Sequence, residues 1–62
     1  MASDKYLKGI SVWWVSNDQN YSGTINKSSK SPVVEITVDY INDVKVESLI
    51  THNVQKEMLV VI

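Results

Sequence analysis

The sequence predicts an all-β protein: a small five-stranded antiparallel meander, strongly twisted and curled toward an SH3-like or other barrel-like shape. Two observations carry that expectation and a third bounds its size. Valine occurs ten times and isoleucine six, and β-branched side chains fit a pleated, half-buried surface. Long stretches alternate apolar and polar residues with a period of two, as a sheet with one wet face requires. Finally, 62 residues without a cysteine leave room for one domain, residues 1–62, and exclude disulfides as its staple. The SH3-like comparison is one of fold and carries no function with it.

Residues 1–5 are expected to be flexible. The first strand runs from Leu7 to Val15, with Ile10, Val12 and Trp14 on one face and Ser11, Trp13 and Val15 on the other. The polar stretch from Ser16 to Ser31 is too long for a structureless loop in a compact domain. Tyr21, Gly23 and Ile25 alternate weakly there, so a poor strand is placed over roughly 21–26. Joined to the first strand by a loop at 15–20, it sets Trp14 opposite Tyr21 and Val12 opposite Gly23. A large aromatic there can cover the backbone that a strand glycine leaves bare. Residues 27–32 form a flexible connection ended by Pro32.

Val33 to Tyr40 is the best strand: Val34, Ile36, Val38 and Tyr40 share one face. Parity then tests the next connection. A two-residue turn at Asn42-Asp43 sets Tyr40 against Lys45 and Val38 against Glu47, which puts the apolar sets on opposite faces. A three-residue loop, Ile41-Asn42-Asp43, pairs Tyr40 with Val44 and Val38 with Val46 instead. By the same logic Thr51-His52-Asn53 is a second three-residue loop, with Ile50 opposite Val54 and Val46 opposite Met58. The predicted core is therefore Val34, Ile36, Val38, Tyr40, Val44, Val46, Ile50, Val54, Met58 and Val60. The rival reading is an α+β fold with a short helix near 43–53, where Val46, Leu49, Ile50 and Val54 fit helical spacing. Against it stand the β-branched residues of that stretch and the lack of a capping box.

Charge and composition narrow the chemistry. Six lysines face seven acidic residues, and no arginine is present to read phosphate or base edges. With a net charge of -1 the chain lacks the basic footprint of a DNA-binding domain. No stretch reaches the roughly 18 apolar residues of a membrane span, and no signal-like apolar run opens the chain. A cytoplasmic protein is expected.

Nothing here assembles a catalytic centre, a metal site or a cofactor site. His52 reads as a solvated turn histidine without a positioned partner. Asp39, Asn42 and Asp43 do not follow calcium-loop spacing. Ser28, Ser29 and Ser31 have no activating base nearby, and Gly9 and Gly23 cannot build a phosphate loop.

The adjacent pair Trp13-Trp14 is the most informative local feature. Neighbours on a strand point to opposite faces, so one indole enters the core and the other cannot. Trp13 on the outer face reads either as an ordinary half-covered aromatic or as an anchor for a partner. Val15, Leu49, Leu59 and Val61 share its outer parity. If the last strand lies beside the first, these side chains form one apolar patch. The resulting expectation is a non-catalytic protein–protein interaction module, a homo-oligomer or a binder of a protein target. It suits a small accessory or inhibitor protein of a phage or mobile element. The alternative is a small β-barrel that binds single-stranded nucleic acid through Tyr6, Trp13 and Tyr21 with Lys27 and Lys30; its basic half is weak.

Overall fold

The computed structural model describes residues 5–27 and 30–62. The flexibility expected of residues 1–5 and 27–32 falls largely on residues 1–4 and partly on residues 28–29, which lie outside the described residues. The fold is a mostly antiparallel open sheet, β1(Ser11–Ser16), β2(Gln19–Lys27), β3(Val33–Ile41), β4(Val44–Lys45), β5(Thr51–Gln55) and β6(Val60–Val61). One 3-10 turn, Lys56–Met58, precedes β6. The strands are ordered β4-β3-β2-β1-β6, with β5 also on β3. The last strand returns to the first through the 3-10 turn. No helix among the described residues is long and apolar enough to cross a membrane.

The first hairpin has the expected register, Trp14 opposite Tyr21 and Val12 opposite Gly23. Its connection is tighter than expected. Ser16 pairs with Gln19, and the turn residues Asn17 and Asp18 have φ of 52° and 62°. Left-handed values at both central positions define the turn that matches strand twist, and Asn and Asp tolerate them best after glycine. The same dipeptide makes the β3–β4 turn, with φ of 52° at Asn42 and 65° at Asp43.

That second turn corrects the three-residue loop expected at 41–43. Tyr40 lies opposite Lys45 and Ile41 opposite Val44, the register that parity argued against. A β-bulge resolves the conflict. Ser22 pairs with Tyr40 and Gly23 with Val38, so Asp39 has no partner on β2. The extra residue reverses parity, sending Tyr40 outward and turning half-buried Ile41 toward the core. A second bulge leaves Asn26 of β2 unpaired. Both are tied to the facing strand: the Thr24 hydroxyl donates to Asp39 Oδ2 at 2.9 Å, and Asn26 Nδ2 donates to Thr37 Oγ1 at 2.8 Å.

The loop expected at 51–53 is the middle of a strand. The β4 register continues through a bond from Val46 N–H to the Asp39 carbonyl, and β5 begins where Val38 N–H bonds the Ile50 carbonyl. Between these points the chain carries three surplus residues, Glu47, Ser48 and Leu49. β4 and β5 are thus two pieces of one strand antiparallel to β3, and the helix considered near 43–53 is not formed.

The core is Val12 and Trp14 from β1, Ile25 from β2, Val34, Ile36 and Val38 from β3, Val54 from β5, and Leu59. Four residues expected in it are exposed: Tyr40, because of the bulge; Val44, beside the turn; and Met58 and Val60, where the 3-10 turn breaks the alternation. Leu59 takes their place.

Gly23 sits where β3 approaches the β2 backbone closely. A Cβ there would collide with the Thr37 carbonyl oxygen and lie 2.9 Å from Ile36 Cγ2. Gly23→Ala should therefore lower stability by about 1–3 kcal/mol, the usual cost of overpacking, as read from urea unfolding. Asp18→Gly and Asp43→Gly should each raise it by about 0.5–1 kcal/mol, because glycine removes the left-handed penalty.

Candidate functional site

The outer face of the sheet carries one row of side chains that crosses every strand from β6 to β4. Successive registers place Val60 beside Trp13, Trp13 beside Ser22, Ser22 beside Tyr40 and Tyr40 beside Lys45. Trp13 is 40% exposed, and Val60 and Tyr40 are each 46% exposed. Serine is the small residue of the row and separates the two aromatics. Val15 extends the apolar surface along β1, and Ile62 extends it beyond β6, anchored by its N–H to the Ser11 carbonyl at 3.0 Å. Trp13, Val15, Ser22 and Ile62 are among the residues that line a shallow concavity of about 540 Å³.

Asn42 closes one end of that surface. Its Oδ1 accepts a bond from Asn20 N–H at 2.9 Å, and its own N–H donates to the Asn20 carbonyl at 2.7 Å. The side chain thereby fastens the β3–β4 turn to β2, and Asp43 of the same turn reaches the concavity.

Of the residues expected on the outer patch, Trp13 and Val15 lie there together on β1. The last strand does lie beside the first, but its parity is shifted by one. Val60, expected in the core, is the outward neighbour of Trp13, whereas Val61 is opposite inward-facing Val12. Leu59 is buried in the core, because the 3-10 turn holds its N–H on the Lys56 carbonyl and directs the side chain inward. Leu49 is exposed in the insertion between β4 and β5, on the far side of β3 from β1. It does not join the patch. Tyr40 and Ile62 were missed: a bulge gives no alternation signal, and Ile62 alternates with Val60, whose parity the 3-10 turn shifts outward.

A second cluster occupies the inner face. The Trp14 and Tyr21 rings stack with centroids 5.3 Å apart and planes 12° from parallel. The His52 ring lies 5.4 Å from Tyr21 and 6.3 Å from Trp14, tilted to both. β5 and β1 belong to opposite ends of the sheet, so this contact shows how far the sheet curls. His52 was expected in a solvated turn; it is instead a half-buried strand residue opposite Ile36. The aromatics proposed for nucleic-acid stacking are divided, with Trp13 on the outer face and Tyr21 packed inside.

Comparison of the chain with protein families, curated proteins and solved structures found no match. Replacing His52 with alanine should cost about 1 kcal/mol of stability through the lost ring contacts, whereas His52→Phe should retain most of it. Chemical denaturation of the two variants checks this directly.

Proposed function

We propose that the protein is a non-catalytic protein–protein interaction module that assembles with copies of itself through the outer face of β1 and β6. The carrying observation is Trp13, 40% exposed at the centre of an apolar surface made with Val15, Val60 and Ile62. Tryptophan is over-represented among residues that dominate binding energy, because it offers a large rigid surface. A chain of this length also buries a smaller fraction of its surface on folding than larger domains do, about 60%, and a second subunit is one of the few available supplements. The near-neutral charge of -1 sets little electrostatic repulsion against self-association. A small accessory or inhibitor protein in the cytoplasm, of the kind phages and mobile elements encode, fits this reading.

His52 supports a structural role in preference to a chemical one, since its ring packs on two aromatic rings. Trp13→Lys tests the proposal. Burying one large side chain is worth roughly 1.5–3 kcal/mol, so losing it at an interface should weaken association about 10- to 100-fold. Sedimentation should show wild type heavier than a monomer and the variant shifted toward monomer with an unchanged circular-dichroism spectrum. A wild type that stays monomeric at high concentration would refute self-association.

A further inference from the structure

We propose that the free edge of β5 is a docking site for an extended, uncharged segment of another protein, which adds to the sheet as a strand. This goes beyond the outer face of β1 and uses a different part of the fold. Only some of the backbone groups of β5 are turned toward a neighbouring strand. Val38 N–H bonds the Ile50 carbonyl and Lys56 N–H bonds the Pro32 carbonyl. Those two bonds fix the phase of the intervening ladder, in which alternate residues exchange hydrogen bonds with the neighbouring strand. His52 and Val54 therefore direct their N–H and C=O groups toward β3. Thr51, Asn53 and Gln55 direct theirs away from it, and β5 pairs with no other strand among the described residues.

The two strands that end the sheet order, β6 and β4, are blunted in ways that discourage pairing, and β5 is not. β6 is two residues long, and β4 is two residues long and ends in Lys45. Short edges and edge lysines are common protections against strand addition. β5 has five residues, Thr-His-Asn-Val-Gln, with no lysine, proline or charged carboxylate among them. At about 3.3 Å per residue it presents a template roughly 17 Å long.

A groove of about 460 Å³ runs beside this edge. Asn53 and Gln55 of β5 flank it, Met58 and the aromatic cluster of Trp14, Tyr21 and His52 contribute to its walls, and no carboxylate or ammonium group lines it. The chemistry of the occupant follows. Its backbone pairs with the outward groups of Thr51, Asn53 and Gln55, as in other cases of strand addition. Every second side chain faces the groove, where an aromatic or large aliphatic group meets Met58 and the ring cluster. A charged side chain there would lose hydration without finding a counter-ion.

The test pans a displayed library of random peptides against the full chain and follows the synthesised winners by amide hydrogen exchange and chemical-shift mapping. Enrichment of uncharged peptides with alternating large apolar residues is expected. Binding should slow exchange at Thr51, Asn53 and Gln55, whose amides exchange fast in the free protein. Asn53→Pro removes an outward N–H that the β3 ladder does not use, and proline is tolerated at such edge positions. It should weaken peptide binding roughly tenfold or more. If that variant fails to fold, replacing the Asn53 amide by an ester in a synthetic chain removes the same donor with little steric change and should give the same loss. Failure to enrich any such peptide, protection mapped elsewhere, or equal binding by the ester-containing chain would overturn the proposal. So would outward amides of Thr51, Asn53 and Gln55 already protected in the free protein at high concentration, because a second copy would then occupy the edge. These readouts at β5 are independent of the mass measurement at Trp13.

Discussion

Asp39, the residue of β3 with no register partner on β2, governs which side chains at this end of the sheet face the core and which face solvent. Up to Val38 the β3 strand alternates inward and outward without interruption, and three of its residues fill the centre of the core. One surplus residue then exchanges the two faces, so that Ile41 follows Tyr21 inward and Tyr40 joins Trp13 on the outside. Gly23 stands at the same step on β2, where the close approach to Thr37 and Ile36 leaves no room for a Cβ. Thr24 holds the bulge by its bond to Asp39. Without this device the two-residue turn at Asn42-Asp43 and the apolar pattern on either side of it would be incompatible. With it, each is satisfied.

That dependence also explains what could be read from the sequence. The all-β class, the long strand from Val33 and the Trp14–Tyr21 register were legible from composition and alternation. Parity across the second hairpin was not. Parity across a hairpin holds only for a regular ladder, and a bulge leaves no mark on hydrophobic periodicity except a contradiction that a longer loop resolves equally well. The repeated dipeptide Asn-Asp at 17–18 and 42–43 was the available clue, since both residue types accept left-handed backbone. Downstream, the surplus residues Glu47, Ser48 and Leu49 continue the alternation of their neighbours and so conceal their own insertion. The shift at Leu59 came from a 3-10 turn whose residues, Lys56, Glu57 and Met58, carry no strong turn signal.

The same features divide the outer surface into two parts. Thr24, Thr37, Asn26 and Asp39 form a hydrogen-bonded patch around the two bulges. Toward the β1–β6 end the surface becomes apolar, with Trp13, Val15, Val60 and Ile62. A single sheet face thus has a hydrogen-bonded polar region, in which Asn26 Oδ1 alone is buried without a partner, beside a region whose exposed groups have no polar work to do. This segregation makes the proposed self-association a property of one end of the face. It leaves β5, at the opposite end of the sheet, free for separate use.

The two Asn-Asp turns have a kinetic consequence. Each joins strands that are neighbours in sequence, so both hairpins form contacts at small cost in chain entropy, on the microsecond scale typical of hairpins. The β1–β6 pairing joins the two ends of the chain through two register positions, Val12 with Val61 and Trp13 with Val60. Closing that long loop gains little until the rest of the sheet is in place. Folding therefore proceeds from the hairpins toward the ends, and β6 docks last. Unfolding retraces this order, so the first opening event strips Val60 from Trp13 while the Asn-Asp hairpins persist.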